Sequence, residues 1–250
     1  MLYILGGLCL NSYLTGLILF FSFYSFVGWI LETIFASIIA KRFINRGFLS
    51  GPFCPIYGFG AILIIQSATV TDGIFFNVTP LQSIVIKIIL AIILTTLLEY
   101  FTGAILEKIF KCRWWDYSNE FLNIKGRVCL KYSALWGTLA YVLIEVIHPI
   151  SSQVVVQLTL TAKYILSLFM ISYFMYDAIK SINEVLNLKR MIFTHHQNPA
   201  EQFFDKIVKY RRIFFAFPKL FFLHIGKTNQ EIRGFLNDKV EKLKTQIKIR

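Results

Sequence analysis

Apolar residues fill whole stretches of this chain instead of alternating with polar ones. Tyr13 to Ile30 and Ile88 to Leu98 are apolar on every side. A soluble helix or strand would show an apolar stripe of period 3.6 or 2, so these runs suit helices surrounded by lipid. A bilayer core of about 30 Å takes about 20 helical residues. Five segments qualify: 13–36, 54–71, 84–107, 128–147 and 157–179. The expected fold is therefore an all-α integral membrane protein of about five transmembrane helices, a transmembrane domain over 1–180 followed by a basic helical tail over 181–250.

The polar breaks orient these helices. Lys41, Arg42 and Arg46 separate the first two spans, and Lys108, Lys111, Arg113, Lys125 and Arg127 separate the third and fourth. The other connections carry Asp72 or no charge. Basic loops stay in the cytoplasm, which puts the N-terminus outside and the C-terminus inside. From Lys180 onward, fifteen Lys or Arg face six Asp or Glu, supplying most of the net +12. Charge of that size suggests nucleic acid, but it lies beside membrane spans with no zinc-finger, RNP or helix-turn-helix pattern, so anionic lipid headgroups are the expected partner and nucleic acid is not. Aromatic and basic residues interleave from Phe203 to Phe217, a pattern that fits either a helix in the headgroup layer or docking on the protein's own loops. Asn229 to Arg250 reads as a solvated helix, and His195 and His196 receive no role.

Composition agrees with this class: 56% of the 250 residues are hydrophobic and 16% charged, too few charges for a soluble domain. The four cysteines, at 9, 54, 112 and 129, form neither a CxxC pair nor a disulfide framework, so free thiols are expected, with no metal and no cofactor. The first apolar run lacks a charged n-region and a small-residue cleavage site and is expected to remain as a helix.

A shift of 75 residues lays Gly28–Phe35 on Gly103–Phe110 with six identities in eight, then pairs Gly51 with Gly126, Cys54 with Cys129 and Tyr57 with Tyr132. Shared hydrophobicity explains the matched Ile and Leu, but not the Glu, Gly, Cys and Tyr. The expected repeat units are 13–71 and 84–147, two parallel copies related by an axis along the membrane normal.

Carboxylates inside spans are costly, at least about 2.5 kcal/mol on insertion scales, and normally face a partner or a wet cavity. Glu99 lies near mid-span, on a face with Thr95, Gly103 and Glu107. The matching stripe on the first span is Tyr24, Gly28, Glu32 and Ala36, whose glycines would let the first and third helices cross closely. Glu99, Glu32, Glu107, Tyr24, Gly28 and Gly103 are thus the candidates for a substrate path or a proton or cation site. Glu32 and Glu107 can equally be interfacial ion pairs with nearby bases. Glu145 and His148 form either a proton-linked pair or a helix-end anchor. The Gly- and Pro-rich stretch Asn45–Gly60 gives the second span a rigid start; with Arg46 there and Arg127 before the fourth span, two positive helix ends could hold an anion or lipid headgroups. Arg113, Trp114, Trp115, Asp116 and Tyr117 combine indoles, a phenol and charges, either as an aromatic belt or as a docking element for a partner.

The blocks Asn45–Gly60 and Arg113–Ser118, with Gly28-Trp29, Glu32, Glu99, Thr102-Gly103, Glu107 and Gly126–Gly137, resemble the bacterial ABC-transporter type IV family of integral membrane proteins over residues 20–145. The resemblance implies a permease of the bacterial cytoplasmic membrane. No GxxxxGK[ST] loop is present, so an ATP-driven mechanism needs a separate ATPase subunit, and a five-span permease is expected to form a homodimer around a path. Two other functions remain open: an intramembrane enzyme acting on a lipid or isoprenoid phosphate, which would gather acid, base and anion holder in one pocket but has no hydrolase motif in support, and a scaffold or sensor whose basic tail recruits a cytoplasmic partner.

Overall fold

The computed structural model describes residues 2–75, 77–193 and 207–222 together with 230, 234 and 235, with backbone only for 2–11, 221 and 222. Helix α1 (Leu2–Ala40) ends before a loop that leads to α2 (Pro55–Ile74), and a short turn leads on to α3 (Pro80–Phe110). Strand β1 (Cys112–Arg113) opens the second long loop. Then come α4 (Leu130–Val142), a π-helical turn (Leu143–Ile147), α5 (His148–Gln157), α6 (Leu160–Phe193), the short α7 (Arg211–Ala216) and β2 (Phe221–Phe222).

The helix starts follow local chemistry. Thr79 caps α3 by accepting from the Gln82 N–H, Gln82 reaches back to the Thr79 N–H, and Pro80 takes a first-turn position where no N–H is needed. Cys54 and Cys129 stand at the corresponding N-cap positions of α2 and α4, both with extended backbone, and Pro55 follows Cys54. The fourth span was expected to end near 147; the helical path instead continues through Pro149 to Gln157. Proline cannot donate to the ladder, and the π turn absorbs the break, with the His148 N–H reaching back to Leu143 O.

Four described helical stretches are long and apolar enough to cross a membrane: Ser12–Ala40, Pro80–Phe110, Leu130–Gln157 and Leu160–Phe193. The most apolar window of α3 reaches a mean hydropathy of 2.4 yet buries only 11% of its residues inside the protein, which places lipid around the rest. The expected fifth, α2, falls outside this set. Its second half carries Gln66, Ser67, Thr69, Thr71 and Asp72, and these satisfy their polar groups within the bundle: Tyr13 donates to Gln66, Thr71 to the Ser67 carbonyl, and Lys87 of α3 pairs with Asp72 at 2.6 Å. Helix α2 packs on both α1 and α3, α4 packs on α3, and α6 packs on α1. The close crossing of the first and third helices at their glycines is therefore not formed, because α2 lies between them.

Two cores result. One, inside the bundle, gathers Tyr24, Ala61, Ile64, Ile65, Ala91, Ala140 and Leu143. The other lies beyond the helix ends, where Phe110, Cys112 and Trp114 pack against Val185, Leu188 and Ile192 of α6 and against Ile207, Ile213, Phe214 and Leu220 of the tail. Helix α6 thus runs well past the expected span end at 179 and becomes a pillar of this cap. The tail segment 207–222 docks on the protein's own loops, pairing β2 antiparallel with β1, while Phe203, Phe204 and Lys206 of the expected pattern lie outside the described residues. The rest of the expected tail helix, including Asn229, Glu231 and Arg250, and His195 and His196 lie outside the described residues.

Candidate functional site

The site forms where the bundle meets the cap. Glu99 is buried on α3, in line with Thr95 and Ala91, one and two turns away. Its two oxygens accept separate hydrogen bonds, from the Tyr117 hydroxyl at 3.2 Å and the Trp136 indole at 3.2 Å. Tyr117 comes from the second loop and Trp136 from α4, so three segments converge on one carboxylate. Trp136 packs its ring on Tyr57 of α2, and Tyr117 stacks on Tyr132 at 4.5 Å. Burial and the neighbouring Glu99 carboxylate push the Tyr117 phenol above its ordinary range, so it stays a hydrogen-bond donor.

Glu32 on α1 accepts from the Tyr57 hydroxyl at 2.8 Å and pairs with Arg46 Nε at 3.1 Å. A continuous path of side chains therefore runs Arg46–Glu32–Tyr57–Trp136–Glu99–Tyr117. The second flank is built alike. Glu107 accepts from Arg127 Nε and Nη2 at 3.2 and 3.0 Å, and Arg113 lies at 3.7 Å from its other oxygen. Both expected anion-holding arginines thus have their charge met by a carboxylate, and Glu32 and Glu107 form ion pairs with Arg46 and with Arg127 and Arg113, not with the expected Lys41, Arg42, Lys108 or Lys111.

The glycines serve incoming side chains. A Cβ on Gly28 would overlap the Tyr57 ring, and one on Gly103 would lie 3.2 Å from Trp115 and 3.5 Å from Arg127. Tyr24 stands apart from the carboxylates, deeper in the bundle, with its hydroxyl 2.9 Å from His148 Nδ1 and 2.8 Å from Ser151 Oγ. His148 therefore turns to Tyr24, while Glu145 lies exposed on the π turn.

The Arg113–Tyr117 block faces mostly inward. Trp114 is buried against Phe48, Phe110 and Phe217, Trp115 donates to the Arg127 carbonyl, and Tyr117 reaches Glu99. Arg113 and Asp116 keep the most accessible side chains that enter its ion pairs, at 37% and 40%. Burial raises the Asp116 carboxyl, but the Ser118 hydroxyl and N–H, with Arg113 and Lys219, outweigh it and hold it below the usual range. A cavity of about 10 Å³ between Gly103, Glu107, Arg113, Trp114 and Arg127 has room for one water, not for a phosphate group.

Asp177 of α6 is a residue the sequence reading passed over. Its carboxylate accepts from the Ser50 and Gly51 N–H groups at 3.2 and 2.9 Å and so fixes the turn before Pro52. A lone acid within an apolar run was the available signal, masked by its place near the expected span end. Arg212 of the tail does the complementary work, donating to the carbonyls of Gly47, Phe48 and Leu49 and pairing with Glu184.

A family model described as "Putative ABC-transporter type IV" matches residues 19–182, about two thirds of the chain. The chain belongs to this ABC-transporter type IV family. The match takes in every carboxylate of the site and runs into α6, farther than the resemblance read over 20–145, while the tail after residue 182 lies outside it. Comparison with curated proteins and with solved structures returns no match. Family and apolar helices together make this a membrane protein of transporter type.

Proposed function

We propose that this family member is the permease subunit of a transporter driven by a separate ATPase, and that Glu99 is its working carboxylate, handling a proton, a cation or a polar group of the substrate. The observation that carries this reading is the burial of Glu99 in a lipid-facing helix on two uncharged donors, with no ion pair among the described residues. An intramembrane carboxylate left uncompensated by a base is retained at a cost that transport chemistry explains.

Several features support the arrangement around it. The loops 41–54 and 111–129 and the tail 207–222 all meet in one cap, so α2, about 30 Å long at 1.5 Å per residue, leads away from the cap and acts as the fifth crossing. With the basic loops cytoplasmic, the cap lies inside, the N-terminus outside, and the membrane is the bacterial cytoplasmic one. The two-copy internal repeat gains support from the paired N-caps Cys54 and Cys129 and from the Glu32–Arg46 and Glu107–Arg127 ion pairs, whose glutamates stand in repeat register. The cap surface is then the docking face for the ATPase, and a homodimer encloses the path.

Purification from native membranes through a C-terminal tag, followed by mass spectrometry, tests the assignment. Recovery of a P-loop ATPase in near-stoichiometric amount is the expected result, and its loss with charge-reversed Arg113 and Asp116 would assign the docking face. Recovery of the chain without any ATPase would remove the permease reading.

A further inference from the structure

The arginines that serve the transport site are all matched by carboxylates, whereas a second basic group is left over at the cap's edge. A groove of about 200 Å³ lies between the first loop and α7, lined by Phe43, Ile44, Asn45, Arg211, Arg212 and Phe215. Among the described residues no acidic side chain lines it. The Arg42 guanidinium lies 3.9 Å above the Phe215 ring, and Arg211 is exposed beside it. Among the described residues neither Arg42 nor Arg211 enters an ion pair, in contrast to Arg46, Arg113, Arg127 and Arg212.

We propose that this groove binds the headgroup of an anionic phospholipid. Charge alone would suit any phosphate, but the groove's surroundings select a lipid. Phe43 is 72% exposed and stands three residues past the end of α1, near which Phe35, Ile38 and Ile39 are 66%, 70% and 67% exposed. Phe35, Ile38 and Ile39 share one side of α1, so an exposed apolar helix face ends within a few residues of the groove. An acyl chain can lie along that face while the phosphate meets Arg42 and Arg211. Free phosphate would gain nothing from it. Basic side chains at the cytoplasmic surface recognise acidic lipids in this way, with aromatic residues at headgroup level. The site is independent of the Glu99 network and stands whether or not the protein is a permease.

Native mass spectrometry of the full-length detergent-purified protein, titrated with phosphatidylglycerol or phosphatidylcholine, tests the proposal. Wild type should retain one tightly held phosphatidylglycerol. The double variant Arg42→Gln/Arg211→Gln should bind it roughly 25-fold more weakly, about fivefold per arginine, with phosphatidylcholine binding unchanged. Lys108→Gln/Lys125→Gln removes the same charge elsewhere and should change binding less than about twofold. Phe43→Ser, which keeps every charge, should also weaken it. Equal losses in the two double variants, no loss in the first, or displacement of the lipid by an equal concentration of glycerol 3-phosphate would each overturn the assignment.

Discussion

Glu99 differs from the other two carboxylates in the kind of partner it keeps. Glu32 and Glu107 each hold an arginine, whereas Glu99 rests on a phenol and an indole. Glu99→Gln preserves an acceptor for one donor and the shape of the side chain, so it should leave the melting temperature within a few degrees of wild type. Glu99→Leu strands two buried donors and should cost about 2–4 kcal/mol, as read by thermal or denaturant unfolding in detergent. For Glu32 and Arg46, a double-mutant cycle to Ala should show a coupling of about 1–2 kcal/mol, since both are less than a third exposed. The carboxylates, Arg46 and Arg127 were legible because charge in or beside an apolar run demands a reason. Their neutral partners were not legible as such: Tyr57 stood out only through the repeat, Tyr117 only as a docking candidate and Trp136 not at all, and only the fold brings them 18 to 37 residues across the chain to the carboxylates. Asp116 gives a pH test. Its carboxyl is held below the usual range, so the stability it lends is complete above about pH 4 and fades as pH falls through its lower folded value. Asp116→Asn should flatten the acid limb of a melting-temperature profile between about pH 2 and 5.

At the scale of elements, the apolar runs located α1, α3, α4 and α6, because their lipid-facing sides need no stripe. Their ends were less legible. Pro149 normally stops a helix, and a π turn that bypasses it depends on packing against neighbouring helices. Helix α2 lowers its hydropathy with polar residues whose hydroxyls bond its own carbonyls and with Gln66 and Asp72, which meet Tyr13 of α1 and Lys87 of α3. Gly28 shows how tightly that interface closes: Gly28→Ala places a methyl into the Tyr57 ring and should destabilise the bundle by about 1–3 kcal/mol. The tail's mixture of aromatic and basic residues suits both a headgroup layer and a protein surface, and the docked form wins through contacts that periodicity does not carry. Arg212 supplies three of them, to successive carbonyls of the first loop. Burial pushes the Cys112 thiol up to about 12, so in the intact protein it should resist alkylation. Arg212→Ala should loosen the cap enough for mass-spectrometric mapping to find Cys112 modified.

Across the whole molecule, the tail ties both loops together at the mouth of the carboxylate network. Arg46 donates to the Ala216 carbonyl as well as to Glu32, and Lys219 donates to the Asp116 carbonyl at 2.9 Å. A partner that moves the cap would therefore move Arg46 against Glu32 and Tyr117 against Glu99, which would give the proposed ATPase a mechanical route into the bundle. The most direct measurement is ATP hydrolysis by the purified complex reconstituted in liposomes, wild type against Glu99→Gln. The account predicts that the ATPase stays bound to the variant while hydrolysis falls at least about tenfold, a loss of about 1.4 kcal/mol in coupling. Unchanged hydrolysis by a fully assembled Glu99→Gln complex would contradict it.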